Sequence, residues 1–416
     1  MTAAPARDVL VHGVRLVSDG DESPDAWVLL RDGVVAARGT GEGWRAHAGR
    51  TEPSVPPHRD AGAADAPPHD PDAPPHGPDA GAPPEVVDAV AVAGRGAVLT
   101  PGFVDLHTHG GGGFAHEDGA AAIRGARAFH RAHGTTRAVI SLVTAPVEVL
   151  AARVREVAAL TGGDVLGSHL EGPFLDPGHR GAHDPALLRT PEAGALETLL
   201  AAGEGTVRQV TLAPELPGGL DAVRRVVAAG AVAAVGHTAA GWEATSAAFD
   251  AGARLLTHAF NAMPPLHHRL PGPVGAALAR PDVVLEAIAD GVHLHPAVVR
   301  MLMDAAPGRI ALVTDAMAAA GAPDGAYRLG SLDVLVEGGV ARLAGRDTIA
   351  GSTLTQDAAL RLAVAAGTTL PQAVAAVTST PASVLGRPDL GSLRVGAAGD
   401  AVLLTPSLEV VRVWSA

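Results

Sequence analysis

Two histidines spaced two apart close an apolar run in this sequence, Pro101-Gly102-Phe103-Val104-Asp105-Leu106-His107-Thr108-His109-Gly110. Side chains two apart on a strand point to the same side, so both imidazoles can hold one metal ion. Glu171, His237 and His258 each stand at the end of an apolar run of their own. Four imidazoles and one carboxylate suit zinc or another borderline divalent ion, with Glu171 either bridging two metals or completing a single site. A metal held this way lowers the pKa of a bound water from about 15.7 to about 7. Asp315 closes a further apolar run, and an aspartate beside such a water can take its proton and deliver it to a leaving group.

Composition narrows the chemistry. The chain of 416 residues carries no Cys, which removes disulfides, Cys-ligated zinc, iron-sulfur clusters and thiol nucleophiles together. All 31 basic residues are Arg. Without lysine there is no Schiff base, no pyridoxal phosphate anchor, no Walker-type phosphate loop and no carboxylated-lysine bridge between metals. A bridging ligand must then be a carboxylate. The formal charge of −13 and the lack of a basic stripe argue against nucleic acid as a partner, although a local Arg can still grip one small phosphate. The N-terminus, MTAAPARDVL, lacks the basic start and apolar core of a signal peptide, and no apolar stretch reaches membrane-spanning length. A cytoplasmic protein with no membrane partner is expected.

The elements that must position these residues follow from the pattern. Between residues 103 and 316, apolar runs alternate with Ala-rich, Arg- and Glu-dotted helical segments, the signature of repeated βα units around a parallel sheet. Eight strands are predicted, at 102–107, 137–143, 165–170, 208–212, 232–236, 254–258, 283–289 and 309–314. Eight units in this length fit a (β/α)8 TIM-like barrel, whose active site lies at the C-terminal ends of the strands. His107, His109, Glu171, His237, His258, His293 and Asp315 all fall at those ends.

Residues 1–42, 86–101 and 389–416 carry β-like runs and are expected to form one small β-sandwich domain built from both chain termini, with the barrel domain spanning 102–388. A hairpin is expected around Glu337-Gly338-Gly339. Residues 43–85 are rich in Pro, Ala, Asp, Gly and His, with three Pro-Pro-His units. Such a composition cannot bury enough apolar surface to offset its ordering entropy, so the segment reads as a disordered insertion rather than as a metal-capturing tract.

The motifs together resemble the amidohydrolase superfamily and, within it, the N-acetylglucosamine-6-phosphate deacetylases. The matching stretches are PGFVDLHTHG at 101–110, HLEGPF at 169–174, RGAH at 180–183, TLAPE at 211–215, GHT at 236–238, THAFNAMPPLHHR at 257–269, IADGVH at 288–293 and LVTDA at 312–316. Many members of the superfamily bridge two metals with a carboxylated lysine; the deacetylases use a glutamate, which the resemblance places at Glu171. By the same resemblance His107, His109, His237 and His258 are metal ligands for one or two ions, and Asp315 is the general base and acid. His183 contacts the substrate near its acetamide and polarises the carbonyl. Asn261 and Ala262 offer the backbone that receives the sugar phosphate, His293 reaches it, and Arg269 reaches it from the neighbouring subunit of a homodimer. Leu270 stands where many relatives have an acidic residue. The implied substrate is N-acetylglucosamine 6-phosphate. Other readings are its galactosamine epimer, a metal-dependent deaminase and, more remotely, a non-catalytic sugar-phosphate sensor.

Overall fold

The computed structural model describes residues 8–48 and 82–416. Eight parallel strands form one sheet in chain order: Phe103–Thr108, Thr135–Val143, Val165–Glu171, Val207–Leu212, Val232–Val235, Leu255–Leu256, Val284–Ile288 and Ile310–Val313. We refer to them as barrel strands one to eight. Each is followed by a helix, from Ala120–Ala132 after strand one to Gln356–Ala365 after strand eight. Outward-facing Val and Leu, among them Leu170, Val210, Val235 and Leu285, are fully buried against that helical ring. Each such side chain contributes about 1.5–3 kcal/mol. Local signals set the helix starts as the sequence implies. Pro146 precedes Val147–Leu160, and Pro296 opens Pro296–Ala305, where the His295 ring accepts from Ala297 N–H at 3.1 Å.

Strands one and eight close the barrel partly through a side chain. Asp315 N–H donates to the His107 carbonyl at 2.8 Å, and Thr108 bridges to Ala316. Below that, Asp105 takes the place of a ladder partner, accepting from the Thr314 hydroxyl at 2.6 Å and from the backbone N–H groups of Thr314 and His107. Burial pushes the Asp105 pKa up to about 6 against the opposing pull of those hydrogen bonds.

Strands from the two chain ends share a seven-stranded sheet. Its order is Val410–Trp414, Ala401–Leu404, Val98–Pro101, Val9–Ser18, Asp21–Arg31 and Val34–Thr40, with Glu85–Asp88 also pairing Val9–Ser18. Ordered structure reaches into both edges of the expected 43–85 insertion. Residues 43–46 belong to the 3-10 turn Gly41–Ala46, whose Trp44 stacks on His12 at 4.0 Å, and Glu85 opens a strand. The rest of that expectation, residues 49–81 with the three Pro-Pro-His units, lies outside the described residues. The hairpin at Gly338-Gly339 joins Leu332–Glu337 to Val340–Leu343, and Gly325–Leu329 adds a third antiparallel strand. Among the described residues no helix is long and apolar enough to cross a membrane.

Candidate metal centre and active site

The barrel strands deliver their polar ends to one point. Glu171, the last residue of strand three, is buried, with His107, His237 and His258 Nε2 atoms 3.3, 3.2 and 3.2 Å from its Oε1. His109 and His183 Nε2 atoms lie 3.2 and 3.4 Å from its Oε2. His107 and His109 face each other at 3.1 Å, and His237 and His258 at 3.0 Å. Ligand atoms of a tetrahedral zinc with bonds of about 2.05 Å stand roughly 3.3 Å apart, so this spacing fits a divalent metal. Imidazole nitrogens that meet in pairs around a buried carboxylate are also the donor set such an ion prefers.

Asp315 joins the group, its Oδ1 3.4 Å from His107 Nε2 and 3.3 Å from His109 Nε2. Burial alone drives the His109 imidazole towards neutrality, but hydrogen bonds and charge from Asp315 and Glu171 outweigh it and lift its pKa to about 9. Burial would raise the carboxyls of Glu171 and Asp315, yet the histidines around them hold both well below the usual carboxylate range. The pocket therefore gathers positive charge, as protons or as a metal ion.

Backbone geometry carries strain at the same place. His237, His258, Ala262 and Asp315 have φ of 47°, 26°, 52° and 49°, a left-handed conformation uncommon outside glycine. Gly110, beside His109, cannot be otherwise, because a Cβ there would lie 2.3 Å from the Phe114 carbonyl oxygen.

A cavity of about 530 Å³ opens over the centre, lined by His109, Glu171, His183, His237, His258, Asn261, Ala262, His293 and Asp315 among others. His183 is held by Thr144, whose Oγ1 is 2.9 Å from Nδ1. His293 pairs with Asp290 at 2.7 Å, and although burial opposes it, that hydrogen bond raises the His293 pKa. Asn261 lines the cavity, but its backbone N–H donates to the His258 carbonyl at 3.0 Å and its Nδ2 to the carbonyls of His258 and Ala259. Arg269 is exposed on the loop before Gly272–Leu278 and does not line the cavity of its own chain, and its neighbour Leu270 is 73% exposed.

Sequence reasoning missed several residues. Thr144 has no sequence signal. Asp347, Thr348 and Ile349 reach the cavity from the loop after Val340–Leu343, a contribution that depends on where the small three-stranded sheet docks. Glu286 was legible in principle, as a charge inside an otherwise apolar barrel strand.

The chain belongs to the amidohydrolase family, whose profile matches residues 98–416. Its relatives narrow that class. It is 42% identical over 334 residues to the N-acetylgalactosamine-6-phosphate deacetylase of Escherichia coli O157:H7, covering 78% of this chain and 88% of the relative. It is 39% identical over 332 residues to the human N-acetylglucosamine-6-phosphate deacetylase, covering 76% and 81%. Among solved structures, it is similar to the N-acetyl-D-glucosamine-6-phosphate deacetylase of Mycobacterium smegmatis, seen as an aspartate-to-alanine mutant in complex with N-acetyl-D-glucosamine-6-phosphate. That match has a TM-score of 0.84 at 40% identity and covers 98% of both chains.

Proposed function

We infer that the chain hydrolyses the N-acetyl amide of N-acetylglucosamine 6-phosphate, giving glucosamine 6-phosphate and acetate. The observation that carries this reading is the convergence of five imidazoles on Glu171, with Asp315 against two of them, in a chain whose relatives are deacetylases of acetylated hexosamine phosphates. A divalent ion held by Glu171 with His237 and His258, and a second with His107 and His109, would supply Lewis acidity that polarises the amide carbonyl and acidifies a water. We take that ion to be zinc.

Asp315 accepts the proton of the attacking water as its oxygen bonds to the carbonyl carbon. The same carboxyl then gives the proton to the amine nitrogen as the C–N bond breaks. His183, fixed by Thr144, faces the carbonyl oxygen and stabilises the charge that develops there. His293, its imidazole biased towards the charged form by Asp290, and the Ala262 backbone receive the 6-phosphate; Arg269 of the partner subunit completes the grip in a homodimer. A phosphorylated sugar is a cytoplasmic metabolite, and we place the enzyme there.

The test is acetate release by the zinc-loaded protein from N-acetylglucosamine 6-phosphate, with N-acetylgalactosamine 6-phosphate and unphosphorylated N-acetylglucosamine alongside. Fast release from the glucosamine phosphate is expected, with the unphosphorylated sugar poor. A preference for the galactosamine epimer would move the assignment to the activity named for the E. coli relative. No release from any of the three would end it.

A further inference from the structure

Strand seven reads VLEAI and is buried along nearly its whole length, a setting in which a glutamate needs partners for both oxygens. Glu286 is 0% exposed and has them. Its Oε1 accepts from Gln209 Nε2 at 2.9 Å; its Oε2 lies 3.1 Å from His107 Nδ1 and accepts from the His258 backbone N–H at 3.2 Å. Its carbonyl accepts from Ala259 N–H at 2.8 Å. One side chain thus touches two histidines of the centre, brought in by two different strands.

The two contacts act differently. A neutral imidazole has a single N–H, and committing Nδ1–H of His107 to Glu286 leaves the Nε2 lone pair facing the centre, the tautomer a metal requires. At His258 the contact is to the backbone. Strand six ends at Leu256, so His258 lies beyond the ladder, at φ 26°. Glu286 accepts the N–H that a longer strand six would have given to its neighbour. Gln209, on strand four, keeps the carboxylate from turning away from either histidine.

We propose that Glu286 is a positioning residue of the metal centre, setting the ring of His107 and the backbone of His258 through one carboxylate. This rests on the metal reading above, and not on the substrate.

Full-length Glu286→Ala and Glu286→Gln proteins, stripped of metal and checked for fold by circular dichroism, would be titrated with zinc against a chromophoric chelator and with cobalt(II) for its visible bands. Glu286→Ala is expected to weaken zinc about 10- to 100-fold and to alter the cobalt bands. Glu286→Gln, which keeps one acceptor oxygen, is expected to show a smaller loss in the same direction. A structural control, Asp400→Asn, alters a buried carboxylate bound to Arg137 and should lower the melting temperature while leaving zinc affinity and the cobalt spectrum unchanged. If Glu286→Ala does not fold, Glu286→Gln decides by the same two readouts. Folded variants with wild-type zinc affinity and a wild-type cobalt spectrum overturn the proposal. A wild-type protein that takes up no zinc or cobalt overturns the metal reading beneath it.

Discussion

Asp315 brings together three properties that no other carboxylate among the described residues combines. It borders the imidazoles of His107 and His109, it opens onto the cavity, and its backbone N–H is tied to the His107 carbonyl, so the proposed base is fixed to strand one. Asp315→Asn preserves the shape and removes the proton acceptor. We expect kcat to fall about 10²- to 10⁴-fold with zinc content and circular dichroism unchanged, as measured by acetate release; near-normal turnover would remove Asp315 from the mechanism. At this scale the sequence was informative about residue types and their registration with strand ends. It said nothing about second partners such as Thr144, because a buried threonine on a strand has many uses and only its position beside His183 selects one.

Elements depend on contacts made far along the chain. Arg137, on strand two, donates to both oxygens of Asp400 at 2.6 and 2.9 Å, and Asp400 also accepts from Ala416 N–H at 2.8 Å. The pair is buried and pins the end of the C-terminal sheet strands to the barrel. Removing one member leaves a buried charge unpaired, so Asp400→Ala should cost about 3–5 kcal/mol in urea unfolding. A loss below 1 kcal/mol would show that the pair is dispensable. The βα alternation made the eight strands legible, since period and length distinguish apolar strands from Ala-rich helices. Strand six was expected over 254–258 and spans only Leu255–Leu256, because the chain turns left-handed at His258 and its N–H goes to a side chain instead of a neighbouring strand.

Over the whole molecule, buried histidines set a limit on acid tolerance. His130 sits behind strand one, its Nε2 2.8 Å from the Gly110 carbonyl oxygen. Burial, only partly offset by that bond, lowers its pKa to about 4, and burial likewise holds His116 and His169 well below their ordinary value. With the folded pKa below the unfolded value of about 6.5, the unfolded chain binds more protons in between. The contribution of these three histidines to stability should therefore be full above about pH 6.5 and decline as pH falls towards 4, His130 alone contributing about 2 kcal/mol of the loss between pH 7 and 5. Urea midpoints of the metal-free protein at those two pH values should separate more in wild type than in His130→Asn. Equal separations would contradict the assignment.

What the sequence by itself determined was chemistry and periodicity: the absence of lysine and cysteine, the polar residues at the ends of apolar runs, the repeating βα pattern and a family resemblance in short motifs. These are local properties, carried by residue type and spacing. Tertiary structure decided which groups share an atom's neighbourhood. Strand order placed Glu286 between His107 and His258, residues 179 and 28 positions away from it in the chain. Docking of the small sheet brought Asp347 to the cavity, and the loop fold turned Arg269 outward from its own site. Hydrogen bonds and charge pairs act over a few ångströms of space, and chain separation places no bound on them.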